Sequence, residues 1–379
     1  MKNKKNIIIS ILFFSILFFG VFLRLWQLGY SSYWLDEGFT LMQARGIAEH
    51  GYPLLDSGFI EWKDLLVPYL IAPLVKIFGF ERAWILRLPS AIFGIMTIIV
   101  SYGLAQELFY TKKVKNDKKF IQYSSLLFAF FMATCYWYVA WSQQIRGYSA
   151  LIFFILLFFY FLAKHNNLDN GSKHINLLVY AFGSIVLAIL TKKFAIILFP
   201  SFLFYLFAKK RYKTFLFFAI PSTVIIFYFI NNVGYIFSLN DGNHFLFYIK
   251  EYLFKYFGVV GILGWFGIIM MFLTEPKQKI LNGSIVLFMV SSVVVFSMFI
   301  FVSEGRYLLM ITPFFFLYTV YFIGYIAKNF KAKVMVGAIL AGIVIIISFL
   351  VNQNMALCQQ VWLLINNLGS TKPSSSFST

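Results

Sequence analysis

Apolar runs long enough to cross a bilayer recur along almost the whole chain, beginning with "NIIISILFFSILFFGVFL" at residues 6–23. A spanning helix needs about 17–25 such residues. The sequence supplies eleven candidate spans, near 7–28, 84–108, 121–140, 147–163, 176–191, 194–208, 214–231, 256–273, 281–302, 307–327 and 333–351. The runs are continuous and lack the two-residue alternation of a membrane barrel, so each segment has to satisfy its own backbone hydrogen bonds as a helix. The fold class that follows is all-α: a polytopic membrane protein with residues 1–351 as one transmembrane domain and 352–379 as a short external tail. Only 12% of the 379 residues are charged, against about 25% in soluble chains.

Lys and Arg concentrate in short cytoplasmic loops. Lys2, Lys4 and Lys5 precede the first span, and "TKKVKNDKK" (111–119), "AKKRYK" (208–213), "EPKQK" (275–279), "KNFKAK" (328–333), Lys164 and Lys173 fall on the same side. Together these are 19 of the 32 cations, which sets the N-terminus inside and the end of the eleventh span outside. The +18 net charge is thus a topology signal and a match to anionic lipid headgroups, not a nucleic-acid footprint. A cleaved leader fits residues 1–25 poorly, because Arg24, Leu25 and Trp26 stand where a small-residue cleavage site belongs. The sequons at Asn170 and Asn282 fall on expected cytoplasmic loops and read as chance matches. Two cysteines, Cys135 and Cys358, make no framework, and four scattered histidines offer no metal-ligand spacing. No metal site and no cofactor is implied.

The stretch after the first span, residues 29–83, carries Asp36, Glu37, Glu49, Asp56, Glu61, Asp64 and Glu81, half of the fourteen acids. Within it 40–51 and 63–79 read as amphipathic helices lying in the interface. The remaining external charges sit at span ends: Arg24, Arg87, Arg146, Lys192, Lys193, Lys250, Lys255 and, with Glu304, Arg306. Cations are costly in hydrocarbon, so several are expected to face a polar cavity. Arg24 and Arg87 read as structural or interfacial.

A carboxylate pair opposite several cations at one membrane depth suits sugar transfer from a polyprenyl phosphate. The leaving group is already a stable phosphate, so the site needs one carboxylate to take the acceptor's proton and Arg or Lys to hold the phosphate as charge develops. Glycoside hydrolysis would instead require a matched acid and base. Asp36 is the expected base and Glu37 its support. Seven of the eight tryptophans fall near the external side, where an aromatic belt explains them better than sugar stacking by Trp34 and Trp141.

"SSYWLDEGFTL" (31–41) resembles the Asp-Glu motif that opens the first external loop of GT-C membrane glycosyltransferases, closest to family 39, which includes the protein O-mannosyltransferases and lipid A aminoarabinose transferases. "ERAWILRLPSAIFGIMTIIVSYGLAQELF" (81–109), "QQIRGYSALIFF" (143–154), "ILTKKFAIILFP" (189–200) and "GRYLLMITPFF" (305–315) resemble later landmarks of the group in order. The resemblance implies an inverting glycosyltransferase of a prokaryotic plasma membrane with Asp36 as base, and Arg146, Lys192 or Lys193, and Arg306 contacting the lipid phosphate. Its partners would be a polyprenyl-phosphate sugar donor and a protein, lipid or glycan acceptor. Where many relatives carry a His-Pro-Pro stretch this chain reads "EWKDLLVPYLIAP" (61–73), and larger members carry an extracytoplasmic domain that does not follow here. A lipid-linked sugar flippase is the alternative, predicting mid-span ionisable groups and internal repeats; a lipid-linked glycan polymerase or ligase is another.

Overall fold

The computed structural model describes residues 2–110, 118–168, 174–232, 258–299 and 305–329. The described residues are helical, with one isolated bridge between Leu54 and Ile60. In chain order they form α1 (Lys2–Leu25), α2 (Leu35–His50), α3 (Leu66–Phe78), α4 (Ala83–Phe109), α5 (Lys118–Thr134), α6 (Tyr136–Ser142), α7 (Tyr148–Asn167), α8 (Ile175–Thr191), α9 (Leu198–Ala208), α10 (Tyr212–Asn232), α11 (Gly258–Thr274), α12 (Lys279–Phe299) and α13 (Thr312–Asn329). Ten of the eleven expected spans fall on these helices. The eleventh, the tail, Asn170, Lys250, Lys255, Glu304 and Cys358 lie outside the described residues.

Among the described residues, four stretches are long and apolar enough to cross a bilayer on their own: Ile7–Leu25, Ala83–Phe109, Tyr148–Asn167 and Pro276–Ser297. The pair α5 and α6, bent by 54°, passes the same test together, as a broken span or a re-entrant loop. The other apolar helices run 10–17 residues. The chain is a multi-pass membrane protein.

The long helix α7 is buried nearly all round, with 78% of its apolar window inside the protein, as expected of a helix that is hydrophobic on every face. It packs against α4 and α8, while α5 and α1 close the far side of α4. At the C-terminal ends of α4 and α7, Asn167 donates to Glu107 Oε2 (2.8 Å) and Gln278 donates to Asn167 Oδ1 (3.0 Å), so one end of the bundle is fastened by amides. Asn282 is buried within α12 and accepts a bond from the Tyr318 hydroxyl (3.2 Å).

The helices α2 and α3 lie across the other end. They share a small core of Leu41, Ala44, Ile47, Val67, Ile71, Ala72 and Val75, joined by Leu86 of α4 and Ile145 of the loop between α6 and α7. That core seats the first loop on the bundle.

The break at Cys135 is tolerated because Arg24 caps it. A helix leaves its last carbonyls without intrahelical partners. The buried Arg24 guanidinium donates to Ala133 O (2.9 Å), Met132 O (2.8 Å) and Gly20 O (3.0 Å), joining the end of α1 to the end of α5. Gly94 of α4 makes room: a Cβ there would stand 2.8 Å from Arg24 Nε. Arg24→Met strands two buried carbonyls and costs about 2–4 kcal/mol, expected as a lowered unfolding temperature of the detergent-purified protein.

Candidate active site

The helix α2 begins at Leu35, five residues before the start expected from sequence, so Asp36 and Glu37 occupy its first turn instead of an irregular stretch. Acidic side chains are favoured there by the helix dipole. Neighbours on a helix point about 100° apart, and the two acids accordingly face different surroundings.

Glu37 faces inward. Its side chain and that of Arg87 are both 1% exposed. The pair is bidentate: Arg87 Nε donates to Oε1 (3.0 Å) and Nη2 to Oε2 (2.9 Å). The Glu37 carboxylate also accepts the backbone N–H of Trp34 (3.0 Å), which starts α2, and that of Ile145 (2.8 Å), which lies in the α6–α7 loop. Arg87 spends its remaining donors on Leu28 O (3.0 Å), Ser31 O (3.0 Å) and Ser32 O (3.1 Å). Every lone pair and proton of this buried ion pair is thus matched, the condition under which burial of charge is tolerated. Glu37 and Arg87 tie together four segments and are not available to substrate.

Asp36 faces a cavity of about 240 Å³ whose lining includes Thr40, Gln43, Glu61, Asp64, Arg146 and Lys192. Its Oδ2 receives both Arg306 Nη1 (2.7 Å) and Arg146 Nη2 (3.3 Å). Among the described residues no bond reaches Oδ1. Arg146 also donates to the Asp36 carbonyl (3.0 Å), and Ser90 donates to the Arg146 carbonyl (3.4 Å), so both the guanidinium and the backbone of Arg146 are held.

The lysine pair divides. Lys192 is 6% exposed, lines the cavity, and forms an ion pair with Asp64. Burial pushes its ammonium below the usual lysine range, and the Asp64 carboxylate opposes that shift. Its Nζ lies 5.0 Å from the centre of the Tyr148 ring. Gly147 lets α7 start against the end of α8, since a Cβ there would meet Thr191 at 2.8 Å. Lys193 is half-buried outside the cavity lining, with its ammonium lowered first by burial and then by Lys63.

Two expectations change here. Trp34 and Trp141 do not belong to an interfacial belt: Trp141 is buried, their rings lie 6.0 Å apart, and Arg306 sits 6.0 Å from the Trp34 ring. They wall the cation cluster, as do Tyr148 and Tyr307, the latter 5.8 Å from Arg306. Trp26, Trp62 and Trp84 remain exposed, as a belt requires. The second change is Asp64, which composition alone did not separate from the other acids of the loop. No group of three or more metal-ligating side chains occurs among the described residues.

The chain superposes over 99% of its length on ArnT from Cupriavidus metallidurans bound to undecaprenyl phosphate, with a TM-score of 0.57 and 14% identity, covering 67% of that chain. It superposes over 93% of its length on the archaeal oligosaccharyltransferase AglB from Archaeoglobus fulgidus, in complex with an inhibitory peptide and a dolichol-phosphate, with a TM-score of 0.65, 11% identity and 56% of that chain covered. The fold is that of the GT-C membrane glycosyltransferases. Residues 63–235 match the dolichyl-phosphate-mannose-protein mannosyltransferase family. No curated protein matches the sequence. The chain spans about half to two thirds of the length of the solved proteins it matches.

Glu37→Gln or Arg87→Met leaves the other buried charge unpaired, a loss of about 3–5 kcal/mol in each case. The double variant is expected to lose less than the sum, a deficit read from unfolding curves of the four proteins.

Proposed function

We propose that the protein is an inverting glycosyltransferase that moves a sugar from a polyprenyl-phosphate donor to an acceptor hydroxyl at the outer face of the membrane. The observation that carries this reading is the convergence of Asp36, Arg146 and Lys192 from distant parts of the chain on one cavity at the α2 end of the bundle, with Arg306 bonded to Asp36. The sided distribution of lysine and arginine assigns that end to the outside. ArnT, which binds undecaprenyl phosphate, and AglB, which binds a dolichol-phosphate, share the fold and suggest the donor class.

In the reaction the bond between the anomeric carbon and the phosphate oxygen breaks, and its electron pair stays on the phosphate. The acceptor oxygen attacks the opposite face of the sugar, and its proton passes to Asp36. Oδ1 is the oxygen positioned for that transfer, because both arginines engage Oδ2. Arg146, Arg306 and Lys192 stabilise the charge that develops on the phosphate, a role in which pre-placed cations in a low-dielectric site are most effective. No general acid is required for this leaving group. Trp34 and Trp141 shield the cluster and strengthen its electrostatics.

Asp36→Asn keeps the shape of the side chain and removes its basicity. Transfer from a radiolabelled polyprenyl-phosphate sugar by protein in nanodiscs is expected to fall about 10²–10⁴-fold, with donor binding retained. Arg146→Ala is expected to weaken donor binding as well as turnover. Transfer by Asp36→Asn at the wild-type rate contradicts this assignment of the base, and movement of labelled lipid across sealed vesicles without sugar transfer would favour the flippase.

A further inference from the structure

The Lys192–Asp64 ion pair sits in the same cavity as Asp36, and the proposed transfer as written gives Asp64 no task. The pair is asymmetric. Lys192 is enclosed, with its stem beside Gly147 and its ammonium over the Tyr148 ring, whereas the Asp64 side chain is 33% exposed. Asp64 belongs to the short loop that leads into α3, where Gln43 holds the carbonyls of its neighbours Glu61 (3.2 Å) and Lys63 (3.0 Å). Its backbone is left-handed, with φ of +53°, a conformation that an L-residue other than glycine adopts at some cost and that Asn and Asp tolerate best. The ammonium is therefore the fixed member of the pair and the carboxylate the movable one.

Charge balance gives the movement a use. Among the described residues that line the cavity or bond to its acids, Lys63, Arg146, Lys192 and Arg306 are positive and Asp36, Glu61 and Asp64 negative, for a net of +1 in the cluster. A sugar phosphodiester brings one negative charge. The polyprenyl monophosphate left after transfer brings about −1.5 to −2 at neutral pH. Withdrawal of one carboxylate raises the cluster to +2 and matches the product phosphate.

We propose that Asp64 is an exchangeable counter-ion, holding the Lys192 ammonium in the donor-free protein and yielding that ammonium to the phosphate when the donor binds and the sugar departs. This deepens the donor reading given above and rests on it. Asp64 acts through Lys192 and is a positioning residue, and it sets the affinity of the site for the phosphate it releases.

The test measures binding of a short-chain polyprenyl monophosphate, with inorganic phosphate as a second probe, to the full chain in nanodiscs, together with its unfolding temperature. Asp64→Asn and Asp64→Gly are both compatible with the left-handed backbone and remove the charge. Both are expected to lower the unfolding temperature of the ligand-free protein yet to bind the lipid phosphate about three- to tenfold more tightly, because the cost of displacing the internal anion has gone. In a Lys192→Met background Asp64→Asn is expected to change affinity by less than about twofold, because the carboxylate acts through that ammonium and the two sites are coupled. A gain for inorganic phosphate as well as for the lipid would place the exchange at the headgroup; a gain for the lipid alone would still support it, with the chain needed for occupancy. Binding by the wild type with no gain, or a loss, in both Asp64 variants overturns the exchange and leaves the donor reading standing. Failure of the wild type and every variant to bind the lipid phosphate overturns the donor reading and the exchange with it.

Discussion

The buried pair of Glu37 and Arg87 is the interaction on which the site's geometry depends. One carboxylate starts α2, holds the backbone of Ile145 and fixes a guanidinium that in turn gathers the carbonyls between α1 and α2. Remove it, and the helix turn that carries Asp36 loses its connection to the loop that carries Arg146. An ion pair so deeply enclosed contributes little net stability compared with an apolar replacement of the same shape. What it supplies is position, because a fork and a carboxylate fit together in few orientations.

Adjacent acids with unlike tasks follow directly from the helix turn beneath them. Glu37 has all its oxygens engaged by the protein, while Asp36 lines a cavity and has one oxygen committed to arginine. The same division recurs among the cations. Arg24 and Arg87 are consumed by backbone carbonyls and Glu37, whereas Arg146 and Arg306 pair with Asp36 and Lys192 with Asp64, carboxylates that line the cavity. A phosphate can take the place of a carboxylate on such a cation at modest cost, since one anion replaces another without re-exposing the charge to hydrocarbon.

The all-helical, apolar class was legible because a bilayer demands length and apolarity, and these survive in a single sequence as continuous runs. Arg146, Lys192 and Arg306 stood out for a related reason: cations at span ends on the acid-rich side run against the usual bias and need compensation. The sequence did not disclose which of Lys192 and Lys193 faces inward, since that depends on where α8 stops and a 3₁₀ turn takes over. Nor did it disclose Trp34 and Trp141 as walls of the site, because a tryptophan near a headgroup and one beside a buried cation look alike in one dimension. Asp64 was hidden by its surroundings in an acidic loop. Its partner lies 128 positions away in sequence, beyond the reach of any local pattern.

Structure determination of the full chain in nanodiscs with a bound polyprenyl monophosphate tests the central claim most directly. The account predicts phosphate density within hydrogen-bond distance of Arg146, Arg306 and Lys192, with Asp36 Oδ1 open to the cavity and Glu37 still locked to Arg87. A phosphate bound elsewhere on the bundle, or one engaged by Arg87 with Glu37 displaced, would contradict it.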